Sequence, residues 1–309
     1  MGNIIPIGNK NTIMQKIYLS DAGPKVSPAV YGFYRWNKVD NIHSSMDRIV
    51  SLCLELGINT FDHGDSYGSY HCEEIFGDLL SKNAFKREEV VLFTKCGLKA
   101  PNSGDPNTRI VHYNTSGEHI IKSVETSLQK LKTDYIDIFL LDHLDPISDL
   151  ETTAQALVNL KKSGKIKNIG IANFSVFQHQ LLATYLNEPI VTNHIELNLL
   201  NVQALDNGQI DYIKQRYMRP MASTPLAEGR IATGDDEQSK RVRRKLEEIS
   251  PKYNADIESV ATAWLVKLGA LPLIGTTDEA RIRNIANAFS IDLDHQDWYD
   301  LYNTSRGHL

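Results

Sequence analysis

The chain has 309 residues, of which 41% are hydrophobic and 23% are charged, and its formal net charge is −5. This composition is typical of a folded globular protein and excludes a disordered, collagen-like or disulfide-rich chain. A mildly acidic surface argues against a dedicated nucleic-acid-binding protein, and no apolar run approaches the roughly 18 residues of a membrane span.

The cysteines and the N-terminus bear on where the protein works. Cys53, Cys72 and Cys96 are an odd number of cysteines without CxxC spacing. This pattern is typical of a reducing compartment and argues against a structural zinc site. The first residues lack a basic region followed by an apolar stretch, so no secretory signal is predicted. We therefore expect a cytoplasmic protein.

Short apolar segments recur along the chain, and each is followed by a segment with helical periodicity. Most are continuous apolar runs, which is the pattern of strands that are covered on both faces. The predicted strands are Ala29–Phe33, Asn59–Asp62, Val90–Lys95, Ile136–Asp142, Lys167–Asn173, Ile190–Glu196, Arg219–Ser223 and Leu271–Thr276.

The segments between these strands carry helix signals. Met46, Ile49 and Cys53 form one apolar stripe, and Ser175 with Gln178 has the spacing of a capping box. Strands alternating with helices over this length predict an α/β protein, a (β/α)8 TIM barrel in a single domain spanning residues 1–309. The competing doubly wound sheet is disfavoured, because no GxGxxG motif follows a strand.

Two segments do not fit the alternation. Ile13–Ser20 is predicted to form a hairpin that closes the floor of the barrel. Gly97–Gly117 is polar, contains Pro101 and Pro106, and lacks helical periodicity. Loops of this length in a compact domain are often functional.

Polar residues stand where several predicted strands end, which is where the active sites of such barrels lie. Asp62 and Tyr67 follow the second strand, Lys95 closes the third and Asp142 closes the fourth. Tyrosine has a pKa of about 10 and is a poor acid at neutral pH, but a nearby ammonium group lowers that pKa. Such a tyrosine can protonate a carbonyl oxygen while hydride reaches the carbon. A structural Asp–Lys ion pair beside a packed tyrosine is the alternative interpretation.

The end of the last predicted strand resembles an anion site. Gly275 and Thr276 precede a helix, so backbone N–H groups and a hydroxyl group are available at a helix N-terminus. Arg281, one turn into that helix, can add charge or stack on a base. An ordinary strand-to-helix turn with a surface arginine is the alternative.

A metal-dependent hydrolase is a third interpretation, from a different class. Two D-H-x-D sets follow strands, formed by Asp62, His63 and Asp65 and by Asp142, His143 and Asp145. Adjacent strand residues point to opposite faces, so each set offers one inward ligand. We therefore predict no metal site.

The stretch from Gly57 to Asp62, followed by Tyr67, Glu73 and Gly77, resembles the most specific signature of the aldo-keto reductase superfamily. Its part from Asp62 to Glu73 is similar to a bacterial branch that reads D-H-x-D-x-Y-G-x-Y-x-C-E. The resemblance continues in family order through most of the chain. It implies metal-free, NADP(H)-dependent reduction of an aldehyde or ketone, with a monomer as the default state. A small-molecule carbonyl substrate is therefore expected, and the charge and the lack of long apolar runs predict no nucleic-acid or membrane partner. It also makes His112, Tyr113 and Asn114 candidates for substrate selectivity.

The resemblance assigns Asp62, Lys95 and Tyr67, with Tyr67 as proton donor, to three of the family's four catalytic positions. The fourth position, usually histidine, is occupied by Asp142, and His143 follows it. An ionised aspartate offers no proton to a carbonyl group, whereas a protonated one could act as donor. His143 is expected to reach the site only through a β-bulge, because a one-residue slip reverses strand facing.

The resemblance also implies a cofactor site, with several departures from the family. Ala172 replaces a serine, His194 a glutamine, Ser223 an aromatic residue and Asp278 a lysine, and the charge of Asp278 opposes a 2′-phosphate. The implied cofactor-binding residues are Gly32, Asn173, His194, Ser223, Pro225, Leu226, Gly229, Arg230, Gly275, Thr276, Arg281 and Asn284. These changes leave open an alternative, a catalytically impaired nucleotide-binding or scaffold protein on the same fold.

Overall fold

The computed structural model describes residues 14–36, 39–82, 84–101 and 108–307. The strands are β1 (Ile17–Tyr18), β2 (Lys25–Val26), β3 (Val30–Gly32), β4 (Thr60–Asp62), β5 (Val91–Cys96), β6 (Leu98–Lys99), β7 (His112–Tyr113), β8 (Ile136–Asp142), β9 (Ile166–Ala172), β10 (Ile190–Glu196), β11 (Met221–Ser223) and β12 (Leu271–Ile274). The helices are α1 (Ile42–Glu55), α2 (Tyr67–Tyr70), α3 (Cys72–Ser81), α4 (Gly117–Leu131), α5 (Leu150–Lys162), α6 (Val176–Tyr185), α7 (Gln203–Asp206), α8 (Gln209–Gln215), α9 (Arg230–Thr233), α10 (Glu237–Ile249), α11 (Ile257–Leu268), α12 (Glu279–Asn287) and α13 (His295–Arg306).

Strands β3, β4, β5, β8, β9, β10, β11 and β12 form a closed parallel barrel, in which β12 pairs with β3. Each of the eight predicted strands is one of these barrel strands, so the predicted (β/α)8 fold is confirmed. Helices connect the barrel strands in chain order, as parallel strands require. The continuous apolar runs are explained by this position, because the strands are covered by side chains inside and by helices outside.

A buried cluster fills the inside of the barrel. It includes Phe93 from β5, Leu140 from β8, Met221 from β11 and Leu271 from β12, and it contains no helix residue. Because strand side chains alternate between faces, a residue two positions beyond a cluster member also faces the barrel axis. This register decides which polar residues enter the mouth of the barrel.

The predicted hairpin closes the barrel floor, although it is longer than expected. Residue 13 of the predicted segment lies outside the described residues. Strand β1 pairs antiparallel with β2, which lies beyond the predicted end at Ser20. Leu19 and Val26 are fully buried in the inner cluster, so the hairpin covers the N-terminal ends of the barrel strands.

The segment predicted as an irregular loop after the third barrel strand contains a short hairpin. Leu98 pairs with Tyr113 and Lys99 with His112, and residues 102–107 between them lie outside the described residues. This hairpin brings Tyr113 to the mouth of the barrel. The prediction of a wholly irregular loop is therefore corrected.

A local signal explains the start of one helix, and a close contact explains a glycine in another. The capping box of Ser175 and Gln178 is present at the start of α6, as predicted. Gly77 in α3 is required by packing, because a Cβ atom there would lie 2.0 Å from the Lys130 carbonyl oxygen in α4.

In the part of the chain that the structure describes, no helix is both long enough and apolar enough to cross a membrane.

Candidate functional site

The C-terminal ends of the barrel strands bring the predicted catalytic residues into one layer. Lys95 lies two positions beyond Phe93, and Asp142 lies two positions beyond Leu140, so both side chains face the barrel axis. Asp62 ends the neighbouring strand β4 and is completely buried. The arrangement follows from strand register, and three residues distant in sequence meet at the mouth of the barrel.

Asp62 and Lys95 form a buried ion pair at the centre of this layer. The Lys95 ammonium group donates to both Asp62 oxygens, at 2.6 and 2.8 Å, and to the His63 carbonyl oxygen at 2.7 Å. Burial raises the pKa of the Asp62 carboxyl group, and the charge of Lys95 opposes that rise. The pair therefore keeps a positive charge at a fixed place inside the mouth.

Tyr67 lies at the start of α2, directly beside this ion pair. Its hydroxyl group is 3.5 Å from Asp62 Oδ2, and the Lys95 ammonium lies 4.5 Å from the centre of its ring. The ring of Tyr34, which is exposed at the mouth, contacts the Tyr67 ring edge-on at 5.4 Å.

The expected lowering of the tyrosine pKa is wrong for this arrangement. Burial, followed by the negative charges of Asp62 and Asp142, raises the pKa of Tyr67 well above its ordinary value. Lys95 does not offset this rise, because Asp62 and the His63 carbonyl take its donors and it lies over the ring instead of at the hydroxyl group. Tyr67 is therefore a neutral phenol that holds its proton.

Asp142, which is predicted to occupy the fourth catalytic position, is the centre of a hydrogen-bonded group. Its Oδ1 accepts hydrogen bonds from His143 Nδ1 and from Asn173 Nδ2, each at 2.8 Å. The His143 ring stacks on Tyr113 from the β6–β7 hairpin, with the ring centres 4.4 Å apart. Tyr113, a predicted selectivity residue, is thus linked through His143 to the layer of predicted catalytic residues.

His143 reaches the site without the expected β-bulge. Pairing between β8 and β9 is regular up to the Asp142–Ala172 pair. His143 follows with φ 58°, a left-handed conformation that returns its side chain towards Asp142. The expectation that only a bulge could bring His143 to the site is therefore corrected. The expectation that Asp142 and His143 point to opposite faces of the strand is corrected as well.

His63, by contrast, points to the opposite face from Asp62, as expected for adjacent residues of a strand. It is fully buried, its ring stacks on Phe33 at 4.4 Å, and both ring nitrogens lack a hydrogen-bond partner among the residues that the structure describes. Burial, with the charge of Lys95, lowers the pKa of His63 to about 3, so the ring is neutral. Within the described ranges, no group of three or more His, Cys, Asp or Glu side chains is arranged to hold a metal ion.

His194 lies in β10, two residues before the end of the strand, and Ser223 ends the neighbouring strand β11. His194 is buried, with Nδ1 3.9 Å from Asp62 Oδ1, and its Nε2 has no partner among the described residues. Burial, and then the charge of Lys95, hold the pKa of His194 well below its ordinary value. Ser223 is half-buried at the end of β11. The structure therefore places a neutral imidazole in the layer of predicted catalytic residues, and one of its nitrogens has no partner in the described part of the chain.

The β11–α9 loop (residues 224–229) contains the predicted Pro225, Leu226 and Gly229. Thr224, Ala227 and Glu228 also have positive φ angles, which are uncommon for residues other than glycine. Arg35, in the loop after β3, forms an ion pair with Glu228 at 3.4 Å. A cavity of about 270 Å³ lies between this loop and the end of β10 and includes Asn198 and Arg230 in its lining. The loop thus borders an open space next to Glu196, the last residue of β10.

The predicted anion site at the end of β12 is closed by the chain itself. Asp278 Oδ1 accepts hydrogen bonds from the N–H groups of Ala280 and Arg281, at 2.9 and 3.2 Å, and so caps α12. Arg281 donates to both carboxylate oxygens of Glu258, from Nε at 3.0 and 3.1 Å. The helix N-terminus is therefore not the open anion site that was expected, and an ordinary capped turn describes it better.

The remaining predicted cofactor residues surround this turn. A Cβ atom on Gly275 would meet no atom of the described residues within 4 Å, and the Thr276 carbonyl accepts a hydrogen bond from Tyr31 at 2.9 Å. Gly32 lies in β3, where a Cβ atom would be 3.3 Å from Leu273. Asn284 is exposed on α12. The structure places these residues along one side of the mouth, between β3 and α12.

Sequence reasoning missed two residues of this region. Tyr34 directly follows the first barrel strand, so its position at a strand end was available as a signal. Glu258, which neutralises Arg281, lies 23 residues away on another helix, and no local pattern links the two.

Comparisons with known proteins match this architecture. A model described as the Aldo/keto reductase family matches residues 30–304. The Bacillus subtilis strain 168 protein named uncharacterized oxidoreductase YcsN is 36% identical over 298 residues, covering 96% of this chain and 99% of that protein. A 6-dehydroglucose reductase of Agrobacterium fabrum is 35% identical over 297 residues, covering 95% and 99%. The crystal structure of the thermostable aldo-keto reductase Tm1743 superimposes with a TM-score of 0.82 at 21% identity, covering 94% of this chain and 100% of that one, which supports the fold alone.

Proposed function

The chain belongs to the aldo/keto reductase family, and from this premise we propose that it reduces an aldehyde or ketone, with Tyr67 as the proton donor. The observation that carries the proposal is the buried layer in which the neutral Tyr67 phenol lies beside the Asp62–Lys95 ion pair. The Agrobacterium relative is named a 6-dehydroglucose reductase, so 6-dehydroglucose is one candidate substrate.

Each residue of the layer has a separate part in this proposal. As negative charge develops on the carbonyl oxygen, Tyr67 transfers its hydroxyl proton to that oxygen. The product of this step is a phenolate, and the Lys95 ammonium, 4.5 Å from the ring centre, stabilises its charge. Asp62 holds the ammonium in place through two hydrogen bonds. Because the phenol is neutral at rest, the proton is available when the substrate arrives.

A nicotinamide dinucleotide fits the residues beside this layer. When bound, it supplies the hydride that reduces the carbonyl carbon. The Nε2 atom of His194, which has no partner among the described residues, offers a polar contact for it. We propose that His194, Ser223 and Asn173 contact its nicotinamide half, and that Gly275 and Thr276 lie along its phosphates.

NADP(H) is the form that the family resemblance implies, and Asp278 opposes it. The Asp278 carboxylate caps α12, where the family often has a lysine, and Arg281 is neutralised by Glu258. Both features weaken a site for a 2′-phosphate group, because neither leaves an uncompensated positive charge there. We therefore propose NADP(H) binding that is weaker than these positions would give with a lysine.

Replacing Asp278 with serine is expected to strengthen NADPH binding about ten-fold and to leave NADH binding unchanged. Serine keeps the helix cap and removes the negative charge. Isothermal calorimetry with both nucleotides measures the change, and the gain should decrease at high salt. Asp294→Ser, at the N-cap of α13, is the matched control and should change neither affinity. An unaltered NADPH affinity in Asp278→Ser would contradict the role given to this carboxylate.

The proposed function is tested by titrating the purified protein with NADPH, NADP and NADH and then adding reactive aldehydes. Nucleotide binding followed by aldehyde-dependent oxidation of the reduced nucleotide is the expected result. Binding without turnover would favour the alternative, a nucleotide-binding protein with an impaired site, for which the aspartate at position 142 is the specific observation. Absence of binding to any of the nucleotides would contradict both proposals.

A further inference from the structure

The two oxygens of the Asp142 carboxylate have different surroundings. Oδ1 accepts the hydrogen bonds from His143 and Asn173 that are described above. Oδ2 takes part in no hydrogen bond with the described residues. The side chain faces the barrel axis and is 19% exposed. One oxygen is therefore held by the protein, and the other is available at the mouth, in the layer that contains Tyr67.

The two residues that donate hydrogen bonds to Asp142 both have an unusual backbone conformation. His143 and Asn173 each follow a barrel strand directly, and their φ angles are 58° and 61°. Left-handed backbone at residues other than glycine is uncommon and concentrates at functional sites. The stacking of His143 on Tyr113 further fixes the imidazole. Two adjacent strand ends are thus shaped to donate to a single carboxylate oxygen.

We propose that Oδ2 of Asp142 accepts a hydrogen bond from a hydroxyl group of the substrate, so that the protein prefers hydroxyaldehydes and hydroxyketones. The inference rests on the proposed carbonyl reduction and names its substrate class. A carboxylate accepts hydrogen bonds and cannot donate them, so it selects a donor such as a hydroxyl group. A site built to bind a substrate hydroxyl rejects the analogue that lacks it, because its polar group then stays unpartnered.

The residues around the mouth suit a substrate that has both hydroxyl groups and apolar C–H surfaces. The exposed Tyr34 ring borders Tyr67 on one side, and Tyr113 stands behind His143 on the other. Tyrosine combines an apolar ring with a polar hydroxyl group. A second negative charge at Asp142 disfavours anionic substrates. The substrate class is therefore a neutral, hydroxyl-bearing carbonyl compound.

The experiment compares kcat/KM for 2-hydroxypropanal and propanal, which differ by one hydroxyl group, at saturating reduced nucleotide and after correction for aldehyde hydration. The wild-type protein should prefer 2-hydroxypropanal. In Asp142→Ala the ratio of the two kcat/KM values should fall about 10- to 100-fold, the usual effect of a hydrogen bond to a charged group. His143→Phe keeps a ring for Tyr113 but removes the donor, so it should lower the same ratio by a smaller factor. Asp211→Asn, an exposed carboxylate on α8, is the control and should leave the ratio unchanged.

The outcomes separate this inference from the proposed function. An unchanged ratio in an active Asp142→Ala protein overturns the inference and leaves carbonyl reduction standing. Failure of the wild-type protein to reduce either aldehyde contradicts the proposed function and the inference together. Should Asp142→Ala not fold, Asp142→Asn keeps the shape and removes the second acceptor oxygen. In addition, 1,2-propanediol should inhibit the wild-type protein more strongly than 1-propanol, and equal inhibition overturns the inference.

Discussion

Replacing Tyr67 with phenylalanine is expected to lower kcat/KM for aldehyde reduction by about 10²- to 10⁴-fold, the usual contribution of a positioned general acid. The substitution removes one hydroxyl group and keeps the ring that lies below the Lys95 ammonium. The loss should therefore be in kcat, with nucleotide affinity and thermal stability close to those of the wild-type protein. Steady-state kinetics with the most reactive aldehyde found in the titration experiment measures it.

Tyr299→Phe on α13 is the matched control, because it removes a hydroxyl group from an exposed ring that packs on His295, Trp298 and Tyr302 of the same helix. It should retain full activity. If Tyr67→Phe keeps more than about a tenth of the wild-type kcat/KM, another group supplies the proton. The raised pKa of Tyr67 adds a second expectation. Activity should show no loss from deprotonation of this residue below a pH of about 10.

Replacing Lys95 with methionine is expected to lower the free energy of unfolding by about 3–5 kcal/mol and to abolish activity. Methionine fills most of the lysine volume but leaves Asp62, which is completely buried, without its counter-charge. Urea-induced unfolding, followed by far-UV circular dichroism, measures the loss. Lys267→Met, which breaks the exposed pair with Asp292, is the control and should have a much smaller effect.

The stability of the Lys95→Met variant should depend on pH in a distinctive way. Lys95 opposes the rise of the Asp62 pKa in the native protein, so its removal raises that pKa further. The folded state then binds a proton at pH values at which the unfolded chain has lost it. Its stability must fall as pH rises from about 4 towards the raised folded pKa, by at most about 1.4 kcal/mol per pH unit.

A double variant separates charge from volume in this prediction. Asp62→Asn combined with Lys95→Met removes both charges, so most of the lost stability should return while activity stays absent. The coupling between the two substitutions is obtained from the four proteins of the mutant cycle. Strictly additive losses would show that the ion pair is not the cause of the instability.

The barrel was predictable because its signals are local. The continuous apolar run of Ile136–Asp142 indicated a strand covered on both faces, and that strand has the predicted bounds. The Ser175–Gln178 spacing indicated a helix start that the structure contains. The family match confirms the resemblance that was drawn from the Asp62 to Glu73 signature. The N-cap at Asp278 is equally local, since aspartate is a preferred N-cap residue.

The sequence by itself determined which residues stand at strand ends, because hydrophobic periodicity and the topology of a closed barrel fix that together. Only the tertiary structure decided what those residues do to each other. Burial and the negative charges of Asp62 and Asp142 raise the Tyr67 pKa, and Lys95 does not offset this rise, because Asp62 and His63 take its donors. Electrostatic and hydrogen-bond partners depend on distances of a few ångströms between residues far apart in the chain, and no local pattern encodes those distances.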